Sequence, residues 1–285
     1  MSLYQTVTDQ IVSELQSGTA PWVRPWAVSG VNEMPYNASS GRRYSGTNVL
    51  LLWLHSAAQG YSRPAYVTFN QARQAGGSVR KGEKSVGVIF TSTFEKGEGD
   101  DKRVVPFAKT TPVFNIDQCD GLPDAWYGKP VAKTPVEIDA AFTAFVAATG
   151  AKIGHGGDRA FYSTAEDRIQ MPFAEAFTGA NQYQATLLHE LGHWTGHEAR
   201  LNRVFGKRFG DKAYAAEELV AELTAAFLCA HLGITGELRH SGYINSWIEL
   251  LKDDPKAIFT AAAAASKAAD HIRGYSEQPE EAVAA

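Results

Sequence analysis

Apolar residues recur with two different periods along the chain, and the change from one to the other divides the sequence into two halves. The opening segment predicts an amphipathic helix with one apolar side, formed by Tyr4, Val7, Ile11, Val12 and Leu15. A loop rich in Gly, Ser and Asn then leads to a second helix, with Thr47 or Asn48 as its N-cap. The segment SRPAYVTFNQARQAGG predicts a short strand and then a short helix, which ends at Gly76-Gly77.

Two further segments are rich in β-branched and aromatic residues and predict strands. They are SVRKGEKSVGVIFTSTF and KRVVPFAKTTPVFNI, joined by the polar turn EKGEGDDK. The fold class predicted for residues 1–128 is therefore α+β. Residues 129–135 contain prolines and no regular period, which is typical of a linker.

Residues 136–285 predict a mainly helical domain with a small β-sheet. The apolar spacing predicts helices over VEIDAAFTAFVAATG, NQYQATLLHELGHWTG, YAAEELVAELTAAFLCAHLG, SGYINSWIELLKDD and PKAIFTAAAAASKAADHIRGY. Between the first two helices, RAFYSTAEDRIQMP predicts a β-hairpin. The tail 276–285 is predicted to be disordered.

Composition narrows the class of protein. The chain has 285 residues, of which 44% are apolar and 20% charged, as in ordinary globular proteins. No apolar run approaches the ~20 residues of a membrane span, and the N-terminus lacks the pattern of a secretory signal. Two cysteines without a metal-binding spacing favour a reducing cytoplasm, although a single Cys119–Cys229 disulfide stays open.

Charge is unevenly distributed along the chain. The net charge is −4, yet residues 21–90 contain 8 Lys and Arg against 2 Asp and Glu. Aromatic residues are interspersed among these cations, and such a mixture suits single-stranded nucleic acid, since rings stack on bases and cations hold phosphates. A merely solvated basic face is the competing interpretation. The candidate DNA-binding residues are Arg42, Arg43, Tyr44, Arg80, Lys81 and Lys84.

The stretch HELGH in the second half has the spacing of a metal site. His189 and His193 are four residues apart, which places both imidazoles on one face of a helix, as two ligands of one ion require. Glu190 follows the first of them and is the candidate catalytic base. A structural alternative, two histidines on a surface helix, is the weaker interpretation.

The third ligand has several candidates. In the pattern HExxHxxGxxH it would be a histidine, but that position is Ala199. Thermolysin-like gluzincins use a Glu on the next helix, followed four residues later by an acid that orients a ligand histidine. Glu218 and Glu222 fit that form, so we predict that Glu218 is the third ligand and that Glu222 hydrogen-bonds the N–H group of a ligand histidine. Glu222 itself and His197 remain alternative ligands, and Glu217 is a weaker one.

Two histidines and one glutamate leave a fourth position open to water, which is typical of a catalytic site. The donor set suits Zn²⁺, and another divalent ion such as Mn²⁺ stays possible. The predicted reaction is attack of activated water on a carbonyl, with Glu190 as base. A donor for the resulting oxyanion is required, and Tyr214, His197 and Arg200 are the candidates.

The chain as a whole resembles the ArdC antirestriction proteins. The resemblance is carried by PWVRPW, YNASSGRRYSGTNVLLLW, VTFNQARQAGGSVRKGEKS and VFNIDQCDGL, followed by HELGHWTGH and EELVAEL. The N-terminal module is similar to that of plasmid conjugation primases of the TraC type. The resemblance implies a single-stranded-DNA-binding N-terminal domain and a zincin-like metallopeptidase domain. It also implies protection of incoming plasmid DNA from host restriction enzymes.

Three functions therefore compete. The leading one is a DNA-binding antirestriction protein with a metallopeptidase site whose activity is uncertain. The second is a metallopeptidase that cleaves a host protein, such as a restriction enzyme, and uses its N-terminal half for recruitment. The third is a binding protein whose metal only supports the fold.

Overall fold

The computed structural model describes residues 3–16, 22, 34–61, 63–96, 103–127, 140–203, 212–234 and 243–277. The chain divides into two compact units, which we call the central unit (Met34–Val131) and the terminal unit (Met1–Glu33 with Ala132–Ala285). The predicted linker 129–135 lies outside the described residues. So do residues 278–285 of the predicted disordered tail.

The described elements follow one another in the order of the sequence. Up to residue 127 they are α1 (Leu3–Gln16), β1 (Tyr36–Asn37), α2 (Thr47–Gln59), β2 (Ala65–Val67), α3 (Phe69–Gln74), β3 (Ser78–Val79), β4 (Val86–Lys96), β5 (Arg103–Asn115), β6 (Cys119–Asp120) and α4 (Asp124–Tyr127). From residue 140 they are α5 (Ala140–Ala148), β7 (Lys152–His155), β8 (Phe161–Ser163), β9 (Arg168–Met171), α6 (Ala180–Trp194), α7 (Lys212–Leu232), α8 (Ile244–Asp253) and α9 (Ala257–Arg273).

The central unit contains a mixed four-stranded sheet in the order β1-β2-β5-β4. Strands β4 and β5 are the two predicted strands, and they pair antiparallel with Val86 opposite Val113. Strand β2 pairs parallel with β1 and antiparallel with β5. The short strands β3 and β6 form a separate antiparallel pair. The predicted α+β character of this half is confirmed.

Helix α2 covers the sheet of the central unit. Its apolar run is buried, and Trp53 is a core residue as expected. Its N-cap is Gly46, so the prediction of Thr47 or Asn48 as cap is wrong. The Asn48 amide instead bonds to both backbone groups of Ile89 on β4, at 2.8 and 2.7 Å. These two bonds satisfy the N–H and the C=O group of Ile89, and they fix the helix to the sheet.

The opening helix packs within the terminal unit. Its Tyr4 ring meets Phe259 edge to face at 4.7 Å, and the Thr8 hydroxyl donates to the Pro255 carbonyl at 2.7 Å. Trp22 packs against Trp247, with ring centroids 5.7 Å apart. The predicted grouping of this helix with the rest of residues 1–128 therefore differs from the observed division. Amphipathic periodicity indicates that one side must be covered, but not by which part of the chain.

Helices α6 and α7 pack together at the core of the terminal unit. Gly192 makes the close approach possible, because a Cβ there would lie 3.0 Å from the Cα of Ala221. Helix α9 packs on α7 with alanines, including Ala261 and Ala265, in agreement with the predicted packed helix. The tight spacing brings side chains of α6 and α7 to one point in the unit interior.

A three-stranded sheet, in the order β7-β9-β8, lies beside α6. Strands β8 and β9 are antiparallel and form the predicted hairpin, while β7 pairs parallel with β9. The predicted mainly helical domain with a small sheet is confirmed in the described residues.

Among the described helices, none has both the length and the apolar character needed to cross a membrane. The longest of them, α7, is buried along most of its length but carries three glutamates there: Glu217, Glu218 and Glu222. Buried acids of this kind need partners, and those partners lie on α6 and in the segment that follows it.

Candidate metal centre

Two neighbouring helices bring three side chains together. Helix α6 supplies His189 and His193, whose Nε2 atoms are 3.1 Å apart. Helix α7 supplies Glu218, whose carboxylate oxygens lie 3.4 Å from Nε2 of His189 and 3.5 Å from Nε2 of His193. One ligand atom from each residue lies within 4.8 Å of the others, which makes this the cluster of the described residues that fits a metal ion.

The spacing of these donors fits a divalent cation. Two nitrogens bound at 2.0–2.1 Å with a tetrahedral angle would be about 3.3 Å apart. The observed 3.1 to 3.5 Å separations are close to that value. Three donors of mixed nitrogen and oxygen type, all buried or nearly so, are the set that a zincin uses.

Each histidine also has its own carboxylate on the ring atom that faces away from the cluster. Nδ1 of His189 lies 3.4 Å from Glu222, the predicted orienting partner. Nδ1 of His193 lies 3.3 Å from Glu217, which sequence reasoning considered only as a weak ligand candidate. The Arg203 guanidinium binds both oxygens of Glu217, at 2.7 and 3.0 Å. The signal available in the sequence was the tandem Glu217-Glu218 followed by Glu222.

The buried charges act strongly on one another. Burial lowers the pKa of His189, but the carboxylates of Glu218 and Glu222 outweigh it and raise that pKa to about 10. Burial likewise lowers the pKa of His193, and Glu217 and Glu218 raise it to about 9. Burial raises the pKa of Glu218, yet the two imidazoles hold it well below its usual range. A divalent ion would therefore displace protons as it binds.

Glu190 is buried beside His189, on the helix that carries both histidines. Its negative charge contributes to the raised pKa values of His189 and of Tyr243. The charge of the predicted base thus acts on His189 of the cluster and on Tyr243.

Of the three candidate oxyanion donors, Tyr214 lies at the cluster. It stands one helical turn before Glu218, and burial together with the nearby Glu218 carboxylate raises the pKa of its phenol. The hydroxyl of Tyr243 is 3.1 Å from that of Tyr214. Both tyrosines are only partly buried.

The other two candidates are held elsewhere. The Arg200 guanidinium lies 3.9 Å from the centre of the Trp194 ring and pairs with Asp167. Nδ1 of His197 accepts a hydrogen bond from the Ala199 backbone at 3.2 Å. His197 is not among the residues of the cluster, so the structure gives no support to its alternative role as a ligand.

Of the six candidate DNA-binding residues of the central unit, five are exposed and one, Tyr44, is buried. Arg42, Arg43, Lys81 and Lys84 are exposed. Tyr44 is predicted to bind DNA, but it is only 8% exposed. Its ring is therefore not available for stacking on a base, and this prediction is corrected. Aromatic residues next to arginines in sequence are often core residues, because neighbouring side chains of an extended segment point to opposite faces.

Arg80 is exposed but held by acidic partners. Its guanidinium binds Glu83 at 3.0 Å, Asp120 at 3.3 Å and the Asp117 carbonyl at 2.5 Å. These contacts offset the charge of Arg80, so Arg80 is a less suitable phosphate ligand than a cation without acidic partners.

Two aromatic rings of the central unit are also exposed. Phe69 is 48% exposed at the start of α3, and Phe90 is 49% exposed on β4. Phe90 stands opposite Lys109 of β5, and directly opposite residues share one face of a sheet. Sequence reasoning did not single out Phe90, since an apolar residue in an apolar strand is normally buried.

Comparisons with known proteins match two successive parts of the chain. Residues 1–114 match the N-terminal domain of anti-restriction factor ArdC, and residues 140–264 match the zincin-like metallopeptidases. The crystal structure of the antirestriction ArdC protein from plasmid R388 has a TM-score of 0.84 and 41% identity, covering 96% of this chain and 98% of that one. The chain belongs to the ArdC family of antirestriction proteins. The predicted family and two-domain fold are thus confirmed.

Further relatives fit this ArdC assignment. The Mn(II)-bound structure of the R388 ArdC protein has a TM-score of 0.83, 40% identity and covers 98% of this chain and 100% of that one. Protein y4eC of Sinorhizobium fredii is 38% identical over 94% of this chain and 90% of its own length. Two Escherichia coli proteins named DNA primase TraC are 37% identical over 96% of this chain, which spans only 27% and 20% of their lengths.

Proposed function

We propose that this ArdC-type chain binds single-stranded DNA in the cytoplasm and protects incoming plasmid DNA from restriction enzymes during conjugation. The observation that carries the proposal is the nearly full-length match, in sequence and fold, to the antirestriction protein of plasmid R388. The exposed cations and rings of the central unit supply a surface of suitable chemistry.

The proposed DNA contacts are made by exposed cations and aromatic rings of the central unit. Arg42, Arg43, Lys81 and Lys84 would hold phosphates, while the exposed Phe69 and Phe90 rings would stack on bases. Stacking is tolerant of sequence because every base has a π-face. We therefore expect tight, salt-sensitive binding without strong sequence preference.

The terminal unit is proposed to be a metallopeptidase centre in which His189, His193 and Glu218 hold a divalent ion. The donor set suits zinc, and the Mn(II)-bound R388 ArdC structure supports a divalent ion in the family. Such an ion supplies Lewis-acid chemistry, by polarising a carbonyl and lowering the pKa of water. Glu190 takes the proton from the attacking water and passes it to the leaving amine nitrogen.

Tyr214 is proposed as the donor to the carbonyl oxygen that becomes negative during attack. Burial, the Tyr243 hydroxyl and the charge of Glu218 all raise the pKa of Tyr214, so its phenol keeps its proton at neutral pH. The hydroxyls of Tyr214 and Tyr243 are 3.1 Å apart and either can donate to the other, so the Tyr214 proton can turn from Tyr243 to the oxyanion as charge develops. A protonated phenol beside the cluster is the kind of pre-arranged donor that stabilises an oxyanion.

The change Tyr214→Phe is expected to lower kcat for protein hydrolysis by about ten- to a hundredfold, since a hydrogen bond to a charged group is worth roughly 1.5–3 kcal/mol. KM should change little, because the bond forms only as charge develops. The matched control is Tyr183→Phe on α6, whose hydroxyl contacts His155 at 2.8 Å instead. Equal kinetics for the two variants would remove Tyr214 from the mechanism.

The proposed function is tested by plasmid transfer into a recipient that contains a restriction enzyme. We expect this chain, produced in the donor or carried on the plasmid, to raise transfer into the restricting recipient. Transfer into a recipient without the enzyme should not change. An equal frequency with and without the chain in the restricting recipient would contradict the proposal.

A second candidate function is cleavage of a host protein, with the central unit as recruiting module. It is favoured because the helix that carries the ligands His189 and His193 also carries Glu190, a candidate acid-base group. A purely structural ion needs ligands but no such group. The two functions differ in whether protection depends on Glu190.

A further inference from the structure

We propose that Glu217 and Arg203 form a positioning pair that holds the His193 ring in the orientation needed to bind the metal ion. The inference rests on the proposed metal centre and extends it to two residues that do not contact the ion. Nδ1 of His193 lies 3.3 Å from Oε1 of Glu217, on the side of the ring opposite the cluster. A carboxylate in that place accepts a hydrogen bond from the Nδ1–H group, which keeps the proton on Nδ1 and leaves the Nε2 lone pair directed at the ion.

Arg203 determines where the Glu217 carboxylate points. Its Nη2 donates to Oε1 of Glu217 at 2.7 Å, and its Nε donates to Oε2 at 3.0 Å. This is a two-point contact between a planar fork and a carboxylate, and it fixes direction as well as distance. Both side chains are largely buried, at 13% and 6% exposure, so solvent weakens the contact little.

The same guanidinium also ties together the two helices that carry the ligands. Its Nη2 donates to the Gly192 carbonyl at 2.7 Å, and its Nη1 donates to the Thr195 hydroxyl at 2.7 Å. The Thr195 hydroxyl in turn donates to the Gly192 carbonyl at 2.6 Å. Arg203 thus joins the end of α6, next to His193, to Glu217 on α7.

This arrangement gives two consecutive glutamates different roles. Glu218 faces the Nε2 atoms of both histidines, whereas both oxygens of Glu217 are engaged by Arg203 and His193. Arg203 therefore keeps Glu217 out of the ligand set. The His189 ring has a different arrangement, with Glu222 at 3.4 Å from its Nδ1.

The test is calorimetric titration of the full chain with Mn²⁺ and with Zn²⁺. Glu217→Gln is expected to lower the metal affinity by about 10- to 100-fold, the usual cost of losing such a partner. Arg203→Lys keeps the charge but lacks the fork, so it should lower the affinity by about tenfold, whereas a purely electrostatic role predicts no change. The matched control Arg200→Lys, on the same segment but bound to Asp167, should bind as tightly as the wild type.

Two further results separate positioning from general loss of structure. The double variant should bind metal about as weakly as Glu217→Gln alone, because both changes interrupt one chain of contacts. In the Zn²⁺-loaded wild type, ¹⁵N NMR of the His193 ring should show a proton on Nδ1 and none on Nε2, and this measurement does not depend on the folding of any variant. A wild-type ring protonated on Nε2 in the metal-loaded protein, or additive losses in the double variant, would overturn the inference. Absence of metal binding by the wild type would overturn the proposed centre itself, whereas unchanged affinity of both variants would overturn only the positioning pair.

Discussion

Replacing Glu190 with Gln is expected to lower the rate of protein hydrolysis by about 10²–10⁴ while metal affinity stays within a factor of about three. Glu190 is buried next to His189 but is not one of the three residues that converge as ligands. The amide has the shape of the carboxylate but cannot accept the proton of the attacking water. The ligands keep their geometry, so the loss should be confined to the chemical step.

The measurement is the initial rate of cleavage of an unfolded protein such as casein, with Mn²⁺ or Zn²⁺ present, alongside calorimetric titration of the ion. The matched control is Glu198→Gln, since Glu198 is an exposed carboxylate in the segment just after α6. Cleavage by the Glu190 variant at the rate of the control variant would contradict the assigned role. Cleavage by neither the wild type nor the variants, with the ion bound, would count against a peptidase.

Reversing three exposed charges of the central unit is expected to weaken binding of a single-stranded oligonucleotide by at least about 100-fold at ~0.1 M salt. The variant is Arg42→Glu with Lys81→Glu and Lys84→Glu, three cations that lie exposed on the central unit. Each lost phosphate contact changes the slope of log affinity against log salt by about 0.7, so the slope should become less steep by about 2. Fluorescence anisotropy of a labelled oligonucleotide over a range of salt concentrations gives both quantities.

The control for this variant changes the net charge equally in the terminal unit. Lys152, Lys252 and Lys267 are exposed there, and their replacement by Glu should leave oligonucleotide affinity within about threefold of the wild type. If both triple variants lose the same affinity, binding follows total charge and no site in the central unit is required. If neither loses affinity, the named cations do not contact DNA.

The metal centre was largely predictable because helical spacing carries the geometry. Residues four apart face the same way on a helix, so His189 and His193, and again Glu218 and Glu222, could be paired from sequence alone. The structure places Glu218 beside both imidazoles and Glu222 beside His189. The identity of the ion and the assignment of roles remain predictions.

Contacts between distant segments were not predictable in the same way. Arg203 lies fourteen residues before Glu217, and no helical or strand period relates them, so their pairing could not be predicted from spacing. Tyr44 has the neighbours of a DNA-binding ring but is buried. The opening helix has an apolar side that could cover either unit, and it packs with Phe259 in the terminal unit.

The most direct test of the account is one transfer experiment with three forms of the chain: the wild type, Glu190→Gln and the triple variant of Arg42, Lys81 and Lys84. The quantity measured is plasmid transfer into a restricting recipient, divided by transfer into a recipient without the enzyme. If DNA binding provides the protection, Glu190→Gln should protect as well as the wild type and the triple variant should protect little. Loss of protection in Glu190→Gln, with full protection by the triple variant, would contradict the account and favour cleavage of a host protein.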